Sequence, residues 1–283
     1  MSKKWNVMAI KLGTLDLFKA VVTSGIDFDK PIREGIWAYA VWNDEHKILC
    51  DTGVHSAQWV TDYSRPCFQT EDETLETALK KGLGWSLEDV DIVINTHLHY
   101  DHCGGNMYLP NATFYVQREE YENGFAPIKN QRQFYCTDLY DSEAIGYFRW
   151  KFLNGDTDIL PGISVLYTPG HCKGHQVVLI DTEEGVCCVT GDVAGILQNF
   201  SRSVPNMCSI RLQDQQLMDS IERIAMYADF ALPMHDPNIE KYQTSNWPRI
   251  KELLNDKWPL KYEAMAETNI PECVYIDGMN DIK

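Results

Sequence analysis

Basic residues are scarce in this chain. Its 25 lysines and arginines face 41 aspartates and glutamates, a formal charge of −16, and a surface that acidic repels phosphodiester backbones and anionic membrane faces. Neither nucleic acid nor membrane is therefore an expected partner, and a small-molecule substrate is the expectation. No run approaches the roughly 18 apolar residues of a membrane span. Met1-Ser2-Lys3-Lys4-Trp5-Asn6 opens into a short alternating segment and not into an apolar export signal. The nine cysteines contain no Cys-x-x-Cys pair and no regular disulfide spacing, so reduced thiols in a soluble, cytoplasmic protein are the expectation. Linkers, low-complexity tracts and internal repeats are also missing, and 44% hydrophobic residues supply a sizeable core. One domain over 1–283 is expected, with an aromatic-rich insertion near 124–150 and a C-terminal extension near 240–283.

What is present is a succession of strands that end in chemistry. Val7 to Leu12 and Ile36 to Trp42 read as strands, and Asn43-Asp44-Glu45-His46 as a turn into Lys47 to Cys50, a hairpin closing on Asp51-Thr52-Gly53. Residues 54 to 70 lack a period and are expected to be a loop bordering a pocket, with Phe68 in it. Glu71 to Leu83 has acidic residues in its first turn, leucines at 75 and 79 and lysines near its end, the pattern of a helix. Thr113 to Val116, Ile163 to Tyr167, Gln176 to Asp181 and Val186 to Thr190 read as further strands. Helices are expected from Arg118, over Leu212 to Ala228, and over Trp247 to Leu254.

The densest chemistry follows the apolar run Val90 to Ile94, where three imidazoles and a carboxylate fall within His97-Leu98-His99-Tyr100-Asp101-His102. Side chains two apart on an extended chain point the same way, so His97 and His99 can grip one ion. Asp101 and His102 diverge and are expected to reach a second once the chain turns at Gly104-Gly105. Histidine or aspartate then follows a strand three more times, at His171, Asp192 and His235. Asp51 is suited to accept the free ring N–H of a ligand histidine, and His175 to support the site from behind. Tyr100, opposite the ligands, is expected to line a substrate pocket, while Cys103 and Cys172 read as packing residues.

In that order, Asp51-Thr52-Gly53, His97-x-His99-x-Asp101-His102, Thr168-Pro169-Gly170-His171, Gly191-Asp192 and His235 resemble the metallo-β-lactamase superfamily, and most of all its N-acyl homoserine lactonase branch. The resemblance covers roughly Ile36 to Asp236. It implies an α/β fold, an αββα four-layer sandwich, with two divalent metal ions between the sheets. One ion falls to His97, His99 and His171, the other to Asp101, His102 and His235, and Asp192 bridges them. Such ligands suit zinc first, with iron, manganese and cobalt as alternatives.

The function this implies is a metal-dependent hydrolase, a lactonase that opens a cyclic ester with a metal-bridging hydroxide while Asp101 passes a proton to the leaving oxygen. The same site also serves cyclic amides, thioesters or phosphodiesters, and a non-catalytic metal-binding protein is the remote alternative. The sequence departs from the lactonases at one point. Where they carry a tyrosine three residues after the bridging aspartate, touching the substrate carbonyl, this chain has Gly195; Tyr39, Tyr100 and His175 are the candidate substitutes. Specificity is expected in the loop after Cys50, in 124–150 and in Gly195 to Arg211. The oligomeric state stays open, a homodimer among the options.

Overall fold

A computed structural model describes residues 4–24, 26–141, 146, 148–202 and 207–255. Twelve strands among them form two sheets. The first joins β1 (Asn6–Phe18), β2 (Pro31–Trp42), β3 (Lys47–Cys50), β4 (Cys67–Phe68), β5 (Ile92–Ile94), β6 (Thr113–Gln117) and β7 (Arg149–Leu153), in the order β4-β1-β2-β3-β5-β6-β7. The second joins β8 (Thr157–Leu160), β9 (Ile163–Tyr167), β10 (Gln176–Thr182), β11 (Gly185–Val189) and β12 (Phe230–Leu232), in the order β12-β11-β10-β9-β8.

Alternation along the strands assigns the layers. In β2, Trp37, Tyr39 and Val41 enter a core shared with Val165, Val178, Ile180 and Val189 of the second sheet. Their neighbours Ile36, Ala38 and Ala40 face away, into a core with Leu75 and Leu79 of helix α2 (Leu75–Leu83). Before α2 comes α1 (Ala57–Tyr63), and after it α3 (Tyr100–Cys103) and α4 (Arg118–Phe125). On the far side of the second sheet, Leu217, Ile221 and Ile224 of α5 (Asp214–Tyr227) and Ile250 and Leu253 of α6 (Ile250–Asn255) cover Val177, Leu179 and Ala231. Helix, sheet, sheet and helix stack as the expected αββα sandwich. Cys187 joins the inner core and Cys188 the outer one, as adjacent strand residues must.

Several local expectations change. The segment 54–70 is not a plain loop: it holds α1, whose Trp59 N–H is capped by Ser56 Oγ at 3.2 Å, and the short edge strand β4. The aromatic-rich stretch 124–150 takes in the end of α4, two 3₁₀ turns, Arg132–Phe134 and Thr137–Leu139, and the start of β7; residues 142–145 and 147 lie outside the described set. The expected C-terminal extension is described only to Asn255, through a 3₁₀ turn at Pro237–Lys241 and α6. No helix among the described residues is long and apolar enough to cross a membrane.

Strand direction decides where the site lies. β3 and β5 are parallel neighbours, as are β11 and β12, while β9 runs the same way as β11 because each is antiparallel to β10. Their C-terminal ends therefore gather at one edge of the sandwich. There the two sheets are tied by backbone hydrogen bonds, Gly35 N–H to His235 O at 3.2 Å and Trp37 N–H to Met234 O at 3.1 Å.

Candidate metal centre

At that edge the chain leaves β5 extended, and His97 and His99 project inward before α3 begins. The turn comes at Tyr100 and not at Gly104-Gly105, so Asp101 and His102 sit on the first turn of α3. The two glycines do other work. A Cβ on Gly104 would lie 2.3 Å from His55 N, and one on Gly105 would lie 2.4 Å from Thr52 O. Their bareness lets α3 press against the Asp51-Thr52-Gly53 turn, where Thr52 N–H reaches His102 O at 2.8 Å and Gly104 N–H reaches Gly53 O at 2.8 Å.

Seven candidate donors fall into two groups, His97, His99, His171 and Asp192 in one and Asp101, His102 and His235 in the other, with the donor atoms of each group within 4.8 Å of one another. His97 Nε2 is 3.0 Å from His99 Nδ1, which is 3.1 Å from His171 Nε2. His102 Nε2 is 3.2 Å from His235 Nε2. Asp192 stands between. Its Oδ2 is 3.4 Å from His171 Nε2 and 4.0 Å from His97 Nε2; its Oδ1 is 3.3 Å from His102 Nε2 and 3.0 Å from His235 Nε2.

These spacings fit donors that share an ion. Donors at about 2.0–2.1 Å from a tetrahedral ion lie about 3.3 Å apart. The outer ring nitrogens agree. Thr96 gives its backbone N–H to Asp51 Oδ1 and its hydroxyl to Asp51 Oδ2, both at 2.7 Å, so its oxygen is left to accept His97 Nδ1–H at 3.0 Å. His102 Nδ1–H donates to Asp51 Oδ2 at 2.8 Å, and His235 Nδ1–H to Gly35 O at 3.0 Å. In the neutral ring each bond leaves the inward Nε2 with a bare lone pair. Asp192 Oδ1 is buried without a hydrogen-bond partner, which a cation between these groups would remedy.

Electrostatics divides the groups. Burial holds His97 and His99 well below the usual imidazole range, with neighbouring rings adding to it, and burial also lowers His171. Burial alone would lower His102 and His235 too, but Asp192 and the nearby carboxylates outweigh it. They raise His102 well above its ordinary value and His235 to about 10. Burial disfavours the Asp192 carboxylate, yet the rings of His235, His102 and His171 overcome this and hold it well below the usual carboxylate range. Without a cation, protons on His102 and His235 balance Asp192.

The supporting residues have definite tasks. Asp51 is fully buried with φ of +56°, a left-handed conformation that a short polar side chain tolerates, and it serves His102 and Thr96 together. His175 does not face the cleft. Its Nε2 accepts the Asp192 N–H at 3.1 Å, so its Nδ1–H is the donor to Thr168 Oγ1 at 3.0 Å. Gly191 is required beside it, since a Cβ there would lie 2.3 Å from His175 Nε2. Cys103 and Cys172 are buried thiols outside both donor groups.

Of the expected pocket residues, Tyr100 lines the cleft, with its hydroxyl donating to Ser64 Oγ at 3.1 Å. Tyr39 does not. It is buried between the sheets with its hydroxyl on Pro233 O at 2.7 Å, because its position in β2 faces the inner core. Phe68 lies exposed on the edge strand β4 with the Arg33 guanidinium 4.8 Å from its ring centre, away from the cleft. All three loops expected to hold specificity contribute walls: Arg65, Phe134, and Cys208 with Ile210.

Sequence reasoning missed Val22 and Glu34 in the cleft, and Glu120 behind it. Glu120, in α4, accepts Leu98 N–H and Gly174 N–H, both at 3.1 Å, and the Tyr135 hydroxyl at 2.7 Å. One buried carboxylate thus clamps the loops carrying His97, His99 and His171. Nothing local distinguishes it from the exposed Glu119 beside it.

Known proteins resemble this chain in sequence and fold. Residues 32–246 match the metallo-beta-lactamase superfamily. An N-acyl homoserine lactonase of Bacillus cereus is 34% identical over 206 residues, 69% of this chain and 78% of the relative. Another, of Bacillus thuringiensis, is 31% identical over 207 residues with the same coverage. A solved N-acyl homoserine lactone hydrolase with the product N-hexanoyl-L-homoserine at its catalytic metal centre superposes with a TM-score of 0.72 at 27% identity, covering 85% of this chain and 96% of that one. Fold, donor groups and kinship agree: the chain belongs to the metallo-beta-lactamase superfamily and within it is similar to the N-acyl homoserine lactonases.

Proposed function

We propose that this protein is a two-metal hydrolase that opens cyclic esters, N-acyl homoserine lactones foremost. The observation that carries the reading is Asp192, which turns one carboxylate oxygen toward each donor group. His97, His99 and His171 would hold one ion, Asp101, His102 and His235 the other, and Asp192 both. Nitrogen and carboxylate ligands suit zinc, with iron, manganese and cobalt as alternatives. Two divalent ions so held would polarise an ester carbonyl and supply a nucleophile from water at neutral pH.

The chain's own residues do the rest. Asp51, Thr96 and Gly35 keep three imidazoles in the tautomer that presents Nε2 inward. His175 fixes the Gly191-Asp192 turn, and so the bridging carboxylate. Asp101, part-exposed on the cleft and 3.8 Å from His235 Nε2, would take the proton that the attacking water releases and pass it to the leaving alkoxide oxygen. Val22, Phe134 and Ile210 keep bulk water from the reacting ester. The eight described cysteines are free thiols, in keeping with a reducing cytoplasm.

Gly195 favours a second reading, a hydrolase of another class on the same centre, because it removes the hydroxyl with which the resembled lactonases touch the carbonyl. A panel of lactones, cyclic amides, thioesters and phosphodiesters, assayed with metal-quantified protein, separates the two. Fast lactone opening is the expected result. Rapid turnover of another class beside slow lactone opening would overturn it.

A further inference from the structure

We infer that Glu34 and Arg65 together recognise a neutral amide on the substrate, beside the ester ring that the proposed lactonase function requires. Both line the cleft with Asp101, Asp192 and His235. Glu34 is 4% exposed, one residue before the Gly35 carbonyl that holds His235. Its Oε1 lies 3.8 Å from His235 Nδ1, while its Oε2 is buried with no hydrogen-bond partner. A buried acceptor left unpaired is costly, and here it borders a space that a ligand enters.

Arg65 is its complement. The residue follows α1 and is half-buried, with its guanidinium 5.9 Å from the Phe134 ring centre. Its side chain makes no hydrogen bond and no ion pair within 4 Å among the described residues. A guanidinium only donates and a carboxylate only accepts, so the cleft offers one unsaturated group of each kind.

Charge selects the ligand. An anionic substituent would suit Arg65 but meet Glu34, the cleft carboxylate that lies outside both donor groups. An ammonium would suit Glu34 but meet Arg65. A secondary amide satisfies both without net charge, its carbonyl accepting from Arg65 and its N–H donating to Glu34 Oε2. Val21, Val22, Phe134 and Ile210 then form an apolar wall for the chain beyond the amide. A polar group built to meet a substrate N–H penalises the analogue that lacks it, since the site is then left unpaired.

The test compares N-hexanoyl-homoserine lactone with an alkyl γ-lactone of matched length lacking the amide, an α-hydroxy γ-lactone, and homoserine lactone bearing its free ammonium. Metal-loaded wild type, Glu34→Leu, Glu34→Gln and Arg65→Met are used, each with metal content and Tm measured. Wild type should favour the amide lactone in kcat/KM by about 100-fold or more. Glu34→Leu and Arg65→Met should shrink that ratio at least about tenfold, with Glu34→Gln, which keeps an acceptor, between. Calorimetry of ring-opened N-hexanoyl-homoserine against the matched 4-hydroxy acid gives the same comparison without turnover. Equal treatment of amide and alkyl ligands by wild type would overturn the inference. So would preference for the hydroxy or ammonium lactone, or an equal loss of both ligands in variants with metal and Tm retained. If no lactone opens but the amide-bearing product still binds at least tenfold better, the lactonase reading falls and amide recognition stands.

Discussion

His102 and Asp51 are fully buried partners: the ring Nδ1 lies 2.8 Å from Oδ2, and the same carboxylate takes the N–H and the hydroxyl of Thr96, which in turn holds His97. One side chain outside both donor groups thus sets the tautomer of a histidine in each. The left-handed backbone at Asp51 makes this reach possible.

Asp51→Asn keeps the backbone preference and the size but puts an amide where two donors converge. We expect metal affinity to fall about 10- to 100-fold at the ion held by His102, with a smaller loss at the His97 ion, measured by chelator competition and metal analysis. Unchanged affinity at both would remove Asp51 from the positioning role.

Glu120→Gln tests the clamp behind the first group. The variant retains one acceptor but turns an NH₂ toward Leu98 N–H or Gly174 N–H, leaving a buried donor unpaired at a cost of about 1–3 kcal/mol. The expected outcome is a lower Tm together with weaker metal binding at the His97, His99 and His171 group. A Tm drop with metal affinity untouched would limit Glu120 to packing.

Protonation sets the pH response of the metal-free protein. His97, His99, His171 and His175 have folded values below the ordinary 6.5 through burial, so the unfolded chain takes up protons that the folded chain refuses as pH falls below 6.5. Stability is lost in that direction. For His102 and His235, burial opposes the proton but Asp192 and nearby carboxylates win. Their contribution is full below 6.5 and is lost as pH rises from there through about 10, the folded value of His235. Chelated protein should therefore show a Tm maximum near pH 6.5, and saturating metal should raise Tm most on the alkaline side, where the ion replaces the lost protons. A chelated Tm that climbs steadily into the alkaline range would contradict the assignment.

The residues that the sequence displayed best are those whose types recur after strands. His97 to His102, His171, Asp192 and His235 all follow apolar runs that fold as β5, β9, β11 and β12, and kinship with the lactonases sorted them into two groups. Less was visible where tertiary contacts supply the stability. Helix α1 has little apolar periodicity and is held instead by its Ser56 cap and by Trp59 stacked 4.6 Å from Tyr63, with Tyr100 against both. The edge strands β7 and β8 show mixed, half-exposed faces and carry no clear strand signal. Glu34 was hidden for a functional reason. Arg33-Glu34-Gly35 breaks the apolar pattern of β2, so the strand was expected to begin at Ile36, whereas it begins at Pro31. The interruption is the buried carboxylate that lines the cleft, and such breaks in local consistency mark sites.

Gly195 offers the most direct test of the departure from the lactonases. Its carbonyl accepts the His235 N–H at 2.8 Å, and its backbone is not in the left-handed region. A Cβ built there would lie 3.4 Å from His235 Cδ2 and 3.6 Å from Asp192 Oδ1, contacts that a side chain can make with slight adjustment. Gly195→Tyr therefore tests whether a hydroxyl introduced three residues after Asp192 can serve the substrate carbonyl. A preorganised donor to a developing oxyanion is worth about 10²–10³ in kcat, and a grafted one, without the neighbours that fix its rotamer, a fraction of that. We expect lactone kcat to rise at least about tenfold with KM little changed, both metals retained and Tm within a few degrees. If kcat stays flat while metal content and Tm are preserved, the chain already stabilises the oxyanion by another group, and Gly195 marks adaptation to a different ester and not a missing donor.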